Sequence, residues 1–179
     1  MLIKDMAICI RAVDYSETSQ IVTLFAKDNG KLKAIAKGSK RPKSSFDGTI
    51  EVLSCGQIVF SGSARQKDSQ KLATLTELQQ ERYFAGLKNS LLNLNCCLFG
   101  TELIDNMVQE YDPHPELFDR FLQFVQNESD AQTRREALTL LVLFQLALLR
   151  ETGLQPVLYA CANCKCKVDA AGEKSQWYF

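Results

Sequence analysis

The chain has 179 residues, 46% of them hydrophobic and 23% charged, and its formal net charge is zero. This composition is too apolar for a disordered chain, and the length suffices for one large hydrophobic core or two small ones. Residues 1–5 do not resemble a secretory signal, and the longest apolar run, residues 137–149, is shorter than the roughly 20 residues that span a bilayer. The expected protein is therefore cytoplasmic, and its seven cysteines are expected to be reduced thiols or metal ligands.

Charge is distributed unevenly along the chain. Residues 1–80 hold twelve of the 21 lysines and arginines and eight of the 21 acids, a net charge of +4, whereas residues 81–179 carry −4. A basic part joined to an acidic part predicts two units with different partners. The expected domains are residues 1–80 and residues 81–179.

The first 80 residues favour β-structure. The sequence around Asn29 and Gly30 predicts a tight turn of a hairpin, because both residues accept a positive φ at little cost. β-branched and alternating segments predict five short strands, at residues 7–13, 18–26, 31–37, 49–60 and 71–78. Five strands in this length are typical of an OB-type barrel, although an SH3-like barrel fits the pattern as well.

The remainder favours helices, so the predicted fold class is α+β. Apolar residues three or four apart predict helices at residues 83–94, 98–108, 116–126 and 131–152. The fourth is apolar on nearly every side from residue 137 onward, which predicts the buried centre of a helix bundle.

The most basic stretch, residues 27–43, contains seven cations and one acid, Asp28. On the return strand of the hairpin, alternation places three lysines on one face, and three further cations follow in a loop. Such a stripe on a small barrel predicts binding to the phosphates of nucleic acid, whereas the alternative is a solvated strand face with an exposed loop. The predicted DNA-binding residues are Lys31, Lys33, Lys37, Lys40, Arg41 and Lys43.

Aromatic residues that could stack on bases are few in this region. Only Tyr15, Phe46 and Phe60 are candidates, and Phe25 is expected to face the core. Binding dominated by the nucleic-acid backbone, with little base recognition, is therefore expected.

A cysteine motif lies near the end of the sequence, where Cys161, Cys164 and Cys166 form a CxxCxC pattern. Two cysteines separated by two residues make half of a thiolate zinc site, and no second pair follows before residue 179. Three interpretations stay open: half of a zinc module in an incomplete chain, a redox pair, or unrelated cysteines. The other four cysteines, Cys9, Cys55, Cys96 and Cys97, are expected to be small buried hydrophobic residues.

The remaining residues offer little from which to assemble an active site. The single histidine, His114, lies between two prolines in a loop, which supports a general base poorly. No Gly-rich phosphate loop, nucleophile elbow or HExxH motif is present. A non-enzymatic protein is therefore expected.

The order of several short motifs resembles the RecO family of DNA repair proteins. In the N-terminal part these are VDYSETS at residues 13–19, VTLF at 22–25, NGK at 29–31, AKG at 36–38 and RPKS at 41–44. In the C-terminal part they are ELID at residues 102–105, PELF at 115–118, and TGLQPVLY at 152–159 leading into CANC at 161–164.

This resemblance implies an OB-fold domain, a helical domain with a four-cysteine zinc module, and no enzymatic activity. It implies a mediator that binds single- and double-stranded DNA, anneals complementary strands and loads recombinase onto DNA coated by single-strand binding protein (SSB). RecR and the C-terminal tail of SSB are the partners it implies, besides DNA. Because one cysteine pair is lacking, zinc binding is expected to be incomplete here.

The cations of the helical part suggest a binding site for a partner. Arg120, Arg134 and Arg135 are hypothesised to flank a groove for an acidic tail with an apolar end, and the alternative is a solvated helix surface. Two rival functions stay open: a protein–protein adaptor that does not bind DNA, and a thiol oxidoreductase that uses Cys161 and Cys164.

Overall fold

The computed structural model describes residues 2–41, 44–46, 48–62, 72–82, 84–161 and 163–166, and its N-terminal part is a closed five-stranded barrel. The order of the strands around the barrel is β1-β2-β3-β5-β4. The strands are β1 (Leu2–Asp14), β2 (Gln20–Ala26), β3 (Gly30–Ala36), β4 (Cys55–Ser61) and β5 (Ala73–Arg82).

The long first strand and one parallel pairing close the barrel. Strand β1 pairs with β4 through its first half and with β2 through its second half, and a bulge between Cys9 and Arg11 lies in the pairing with β2. Strand β3 then pairs in parallel with β5, from Ala34 opposite Ala73 to Ala36 opposite Leu75. This connectivity is that of an OB-type barrel, so the first alternative of the sequence prediction is confirmed and the SH3-like one is wrong.

In the described part of the chain, three α-helices and a short 3-10 helix follow the barrel. They are the 3-10 helix Ala85–Asn89, α1 (Leu91–Met107), α2 (Pro115–Asp130) and α3 (Arg134–Glu151). The predicted helices at 83–94 and 98–108 are wrong as separate elements, because α1 begins at the Ser90 cap, whose side chain accepts a hydrogen bond from the Asn93 amide, and continues unbroken. A capping box between Thr133 and Glu136 begins α3. None of the helices described is long and apolar enough to cross a membrane.

Two hydrophobic clusters organise the chain. The first fills the barrel and includes Leu24, Leu32 and Ile58. The second lies between the outer face of the barrel and the helices, and there the rings of Phe25 and Phe118 are 5.8 Å apart. The barrel and the helices therefore share a core, since residues of β1 and β2 belong to the same cluster as residues of all three α-helices.

The third helix is not the buried centre of a bundle, so that prediction is wrong. Ala137, Phe144 and Leu148 are buried, and the rings of Phe124 and Phe144 stack 4.7 Å apart. The opposite side exposes large apolar residues, because α1 and α2 contact α3 from one side. The exposed fractions are 40% for Leu138, 52% for Val142 and 57% for Leu143.

A carboxyl group is buried within the helical part, and its oxygens have no partner in the described part of the chain. Both carboxylate oxygens of Glu128 on α2 lack a hydrogen-bond partner among the residues described, although its backbone oxygen accepts from Asn93 Nδ2 at 2.8 Å. Burial raises the pKa of the Glu128 carboxyl from 4.5 to about 7. Between pH 4.5 and about pH 7, the Glu128 carboxyl is therefore protonated in the folded protein but ionised in the unfolded chain.

Stability should consequently fall as the pH rises through this window. Because the pKa of Glu128 is higher in the folded state, ionising this buried carboxyl lowers the free energy of unfolding. This destabilisation is absent below about pH 4.5 and reaches its full size above about pH 7. A shift of this size corresponds to a cost on the order of 3 kcal/mol at pH 8. Glu128→Gln should raise the free energy of unfolding at pH 8 by up to that amount and have little effect at pH 4.5, as measured by urea denaturation.

The control is Glu102→Gln, which removes the same charge from an exposed position on α1. The Glu128→Gln gain should grow with pH relative to this control. A gain of equal size at pH 4.5 and pH 8 would contradict the assignment of the titration to Glu128.

Candidate nucleic-acid interface

The loop after β3 lies against the turn between β1 and β2. The Lys40 amide donates to the Thr18 backbone oxygen at 3.2 Å, and the Gly38 amide donates to Ser19 Oγ at 3.3 Å. Within the loop, the Arg41 amide donates to the Gly38 oxygen at 3.0 Å, and Gly38 adopts a φ of +75° that favours glycine. These contacts fix the backbone that presents residues 37–41, which we name the basic loop.

The cations of the basic loop differ in their partners. Lys37 and Arg41 are exposed, and among the residues described neither forms an ion pair. Lys40 Nζ lies 2.6 Å from Asp14 Oδ2 at the end of β1. The predicted Lys43 lies outside the described residues. Among the residues described, the loop thus offers two cations without an ion pair and a third whose partner, Asp14, is itself exposed.

The lysines of strand β3 pair with acids at or just after the end of α1. Lys31 is 7% exposed, and its ammonium donates to the backbone oxygen of Asp105 and lies 3.4 Å from Asp105 Oδ1. Lys33 Nζ lies 2.7 Å from Glu110 Oε1. The predicted exposed face of Lys31, Lys33 and Lys37 is therefore wrong for Lys31, because the end of α1 and the loop that follows it cover this part of the strand.

Further ion pairs join the barrel to the helices. Lys27 Nζ lies 2.8 Å from Asp119 Oδ1 on α2, and Arg11 lies 3.9 Å from Asp105. The amide of Tyr111 also donates to the Lys31 oxygen at 2.8 Å, so the segment after α1 is bonded to β3. We name the contact between the outer face of the barrel and the helices the junction.

The candidate aromatic residues are mostly buried. Phe46 and Phe60 lie inside the barrel and are 2% and 1% exposed. Phe25 is buried in the junction, which confirms the prediction that it faces a core. Tyr15 is the exception, with 63% of its surface exposed. Base stacking by Phe46 or Phe60 is therefore excluded in this conformation.

The three arginines of the predicted partner site lie around the exposed apolar side of α3. Arg134 and Arg135 line a surface depression together with Leu138, Val142 and Leu143. Arg120 lines a second depression that also includes Leu143, and its Nε lies 3.9 Å from Glu151 Oε1. The sequence did not reveal this apolar floor, because the periodicity of α3 suggested complete burial.

The cysteines fall into two groups. Cys9, Cys55, Cys96 and Cys97 are buried, as predicted, and burial raises the pKa of the Cys9 and Cys55 thiols to about 12. Thiols with a pKa this high are protonated at neutral pH and are therefore poor nucleophiles.

The second cysteine group is the predicted zinc element. Cys161, Cys164 and Cys166 are exposed on a turn in which the Cys161 amide donates to the Cys166 oxygen at 2.9 Å. Across the described ranges, no group of three or more His, Cys, Asp or Glu side chains is arranged to hold a metal ion.

Fold and site together define a class of protein: an OB-type barrel with an exposed basic loop, joined to a helical unit through a shared core. Comparison with protein families gives the particular family. The family model "Recombination protein O N terminal" matches residues 1–84, and "Recombination protein O C terminal" matches residues 88–178. The chain therefore belongs to the RecO family.

Curated relatives agree with this membership. The chain is similar to three proteins named DNA repair protein RecO. It is 37% identical to the one from Salinibacter ruber over 82% of this chain and 38% identical to the one from Rhodopirellula baltica over 89%. It is 32% identical to the one from Anaeromyxobacter dehalogenans over 93% of this chain. The matches cover 55%, 56% and 63% of the lengths of these relatives, respectively. The chain thus spans little more than half of the relatives that it matches.

Removing the acid beside Lys40 should strengthen DNA binding. In Asp14→Asn the Lys40 ammonium no longer has a competing carboxylate, so a phosphate gains an unpaired cation. A surface ion pair of this kind is worth at most about 1 kcal/mol, which predicts a roughly two- to fivefold higher affinity for single-stranded DNA at low salt. Fluorescence anisotropy with a labelled oligonucleotide measures it.

The matched control is Asp119→Asn, which also removes a carboxylate paired with a lysine, but at the junction. This variant should gain less affinity than Asp14→Asn. Equal gains for the two variants would indicate a general effect of net charge rather than a contact at the basic loop.

Proposed function

We propose that the protein is a mediator of DNA repair and homologous recombination that binds single- and double-stranded DNA through the basic loop. It anneals complementary strands and helps to load recombinase onto single-stranded DNA coated by SSB, in the bacterial cytoplasm where the chromosome lies. The observation that carries this proposal is a pair of exposed cations, Lys37 and Arg41, on a loop fixed to the end of an OB-type barrel; neither has an ion-pair partner in the described part of the chain. Membership of the RecO family supports it.

The physical basis is neutralisation of phosphates. Annealing breaks and forms no covalent bond, but it requires two polyanionic strands to approach each other despite their repulsion. Lys37, Lys40 and Arg41 screen this repulsion by contacting phosphate oxygens, which single and double strands share. Such binding releases counterions and is therefore sensitive to salt and largely independent of sequence.

The basic loop is tested by a salt series. The triple variant Lys37→Ala, Lys40→Ala, Arg41→Ala should bind single-stranded DNA more weakly, and the slope of log affinity against log salt should be flatter. Each lost phosphate contact flattens the slope by roughly 0.7, so three contacts give about two units. Fluorescence anisotropy with an oligonucleotide of fixed length measures the slope.

The control removes three exposed cations from other parts of the chain. These are Arg82 at the end of β5, Lys88 in the 3-10 helix and Arg150 at the end of α3. The control variant should keep the slope of the wild type. If both triple variants flatten the slope equally, the DNA does not bind at the basic loop.

We infer that the helical part binds partners, and that RecR and the C-terminal tail of SSB are these partners. The arginines beside an apolar floor support the second of them, because Arg134 and Arg135 suit acidic residues, while Leu138, Val142 and Leu143 suit an apolar end. The same surface favours the alternative function, a protein–protein adaptor, if the chain shows no salt-dependent binding to DNA.

The tail hypothesis is tested with a peptide that has several aspartates and a C-terminal phenylalanine. The variant replaces both Arg134 and Arg135 by alanine. Loss of two charge contacts should weaken binding by roughly tenfold or more, as measured by isothermal titration calorimetry. Arg150→Ala, outside the depression, should bind like the wild type. Unchanged affinity of the double variant would remove this assignment.

A further inference from the structure

Tyr15 is an exposed aromatic ring beside the basic loop. It follows Asp14, whose carboxylate lies 2.6 Å from Lys40 Nζ, and it begins the turn whose Thr18 oxygen accepts from the Lys40 amide at 3.2 Å. Its side chain is 63% exposed, although tyrosines usually bury most of the ring. The ring and the loop cations therefore lie at the same end of the barrel.

The backbone that presents the ring is held by hydrogen bonds. The amides of Tyr15 and Ser16 both donate to the Ser19 oxygen, at 3.0 and 3.2 Å, and Ser19 Oγ accepts from the Gly38 amide in the basic loop. An exposed ring on a fixed backbone loses little conformational entropy when it binds a ligand, because tyrosine has only two side-chain torsions. The turn therefore presents an aromatic surface at low entropic cost.

An exposed apolar residue lies near Tyr15 in the sequence. Val13, two residues earlier at the end of β1, is 48% exposed. Phe46 and Phe60, the other aromatic candidates, are buried inside the barrel. Among the three candidates that the sequence offered, only Tyr15 is accessible to a base.

We propose that Tyr15 stacks on an unpaired base of a single strand whose phosphates contact the basic loop. The ligand class is single-stranded nucleic acid, and the consequence is a preference for single strands over duplex at this end of the barrel. The inference rests on the proposed function, since it requires the strand to lie along residues 37–41. Phosphate contacts serve both kinds of DNA, whereas stacking requires a base that is free of its own neighbours.

The test compares Tyr15→Ala and Tyr15→Phe on an unstructured oligothymidylate and on a duplex of equal length. Tyr15→Ala should weaken single-strand binding by roughly 5- to 100-fold, because stacking on one base is worth that much. Tyr15→Phe keeps the ring and should bind within about twofold of the wild type. Neither variant should change duplex binding or the salt slope, since no charge is lost.

A fluorescent readout reports stacking directly. Trp177 is the only tryptophan of the chain, so Tyr15→Trp in a Trp177→Phe background places a single indole at this position. Oligothymidylate should quench its emission, and dextran sulfate, a polyanion without bases, should bind without quenching. Quenching of equal size by both polyanions would contradict stacking.

The outcomes separate this inference from the proposed function. If Tyr15→Ala binds single strands like the wild type while loss of the basic loop cations flattens the salt slope, the stacking role is wrong and the DNA-binding role stands. If the wild type binds no single-stranded DNA at all, both are wrong. A large loss with Tyr15→Ala that Tyr15→Phe does not share supports both.

Discussion

The junction is the packing constraint on which the rest of the structure depends. Phe25 projects from the outer face of β2 onto Phe118, and both side chains are fully or almost fully buried. Each fully buried phenylalanine contributes about 1.5–3 kcal/mol relative to an exposed one. Because these rings belong to a cluster that includes residues of β1 and α1–α3, the barrel and the helices share a single packed core. The position of the helices then decides which cations of the barrel remain free.

Strand β3 and its loop divide the cations into two sets. At the start of the strand, Lys31 and Lys33 pair with Asp105 and Glu110, and Lys31 is also buried there. Beyond the end of the strand, Lys37 and Arg41 are exposed, and neither forms an ion pair with another described residue. The basic and acidic halves of the sequence are therefore partly each other's partners. The exposed charge of Lys37 and Arg41 lies at the end of the barrel that also carries Tyr15.

The sequence was informative where a signal is local. Alternation and turn residues such as Asn29 and Gly30 predicted the five strands, and small apolar contexts predicted the buried cysteines. Tertiary contacts decided the rest. Alternation placed Lys31 and Lys33 on one face but contained no information on the helix that covers Lys31. Likewise, the composition of α3 indicated burial on all sides. Burial depends on which elements pack against the helix, however, and Leu143 is exposed. Tyr15 was one of three aromatic candidates until burial excluded the other two.

Lysine footprinting tests the division of the cations most directly. The folded protein is treated with an amine-reactive acetylating reagent, with and without saturating single-stranded DNA, and each lysine is quantified by mass spectrometry. DNA at the basic loop predicts strong protection of Lys37 and Lys40 and unchanged reactivity of Lys27 and Lys33, which pair with acids at the junction. Protection of Lys27 and Lys33, with Lys37 and Lys40 still reactive, would contradict the placement of DNA at the end of the barrel.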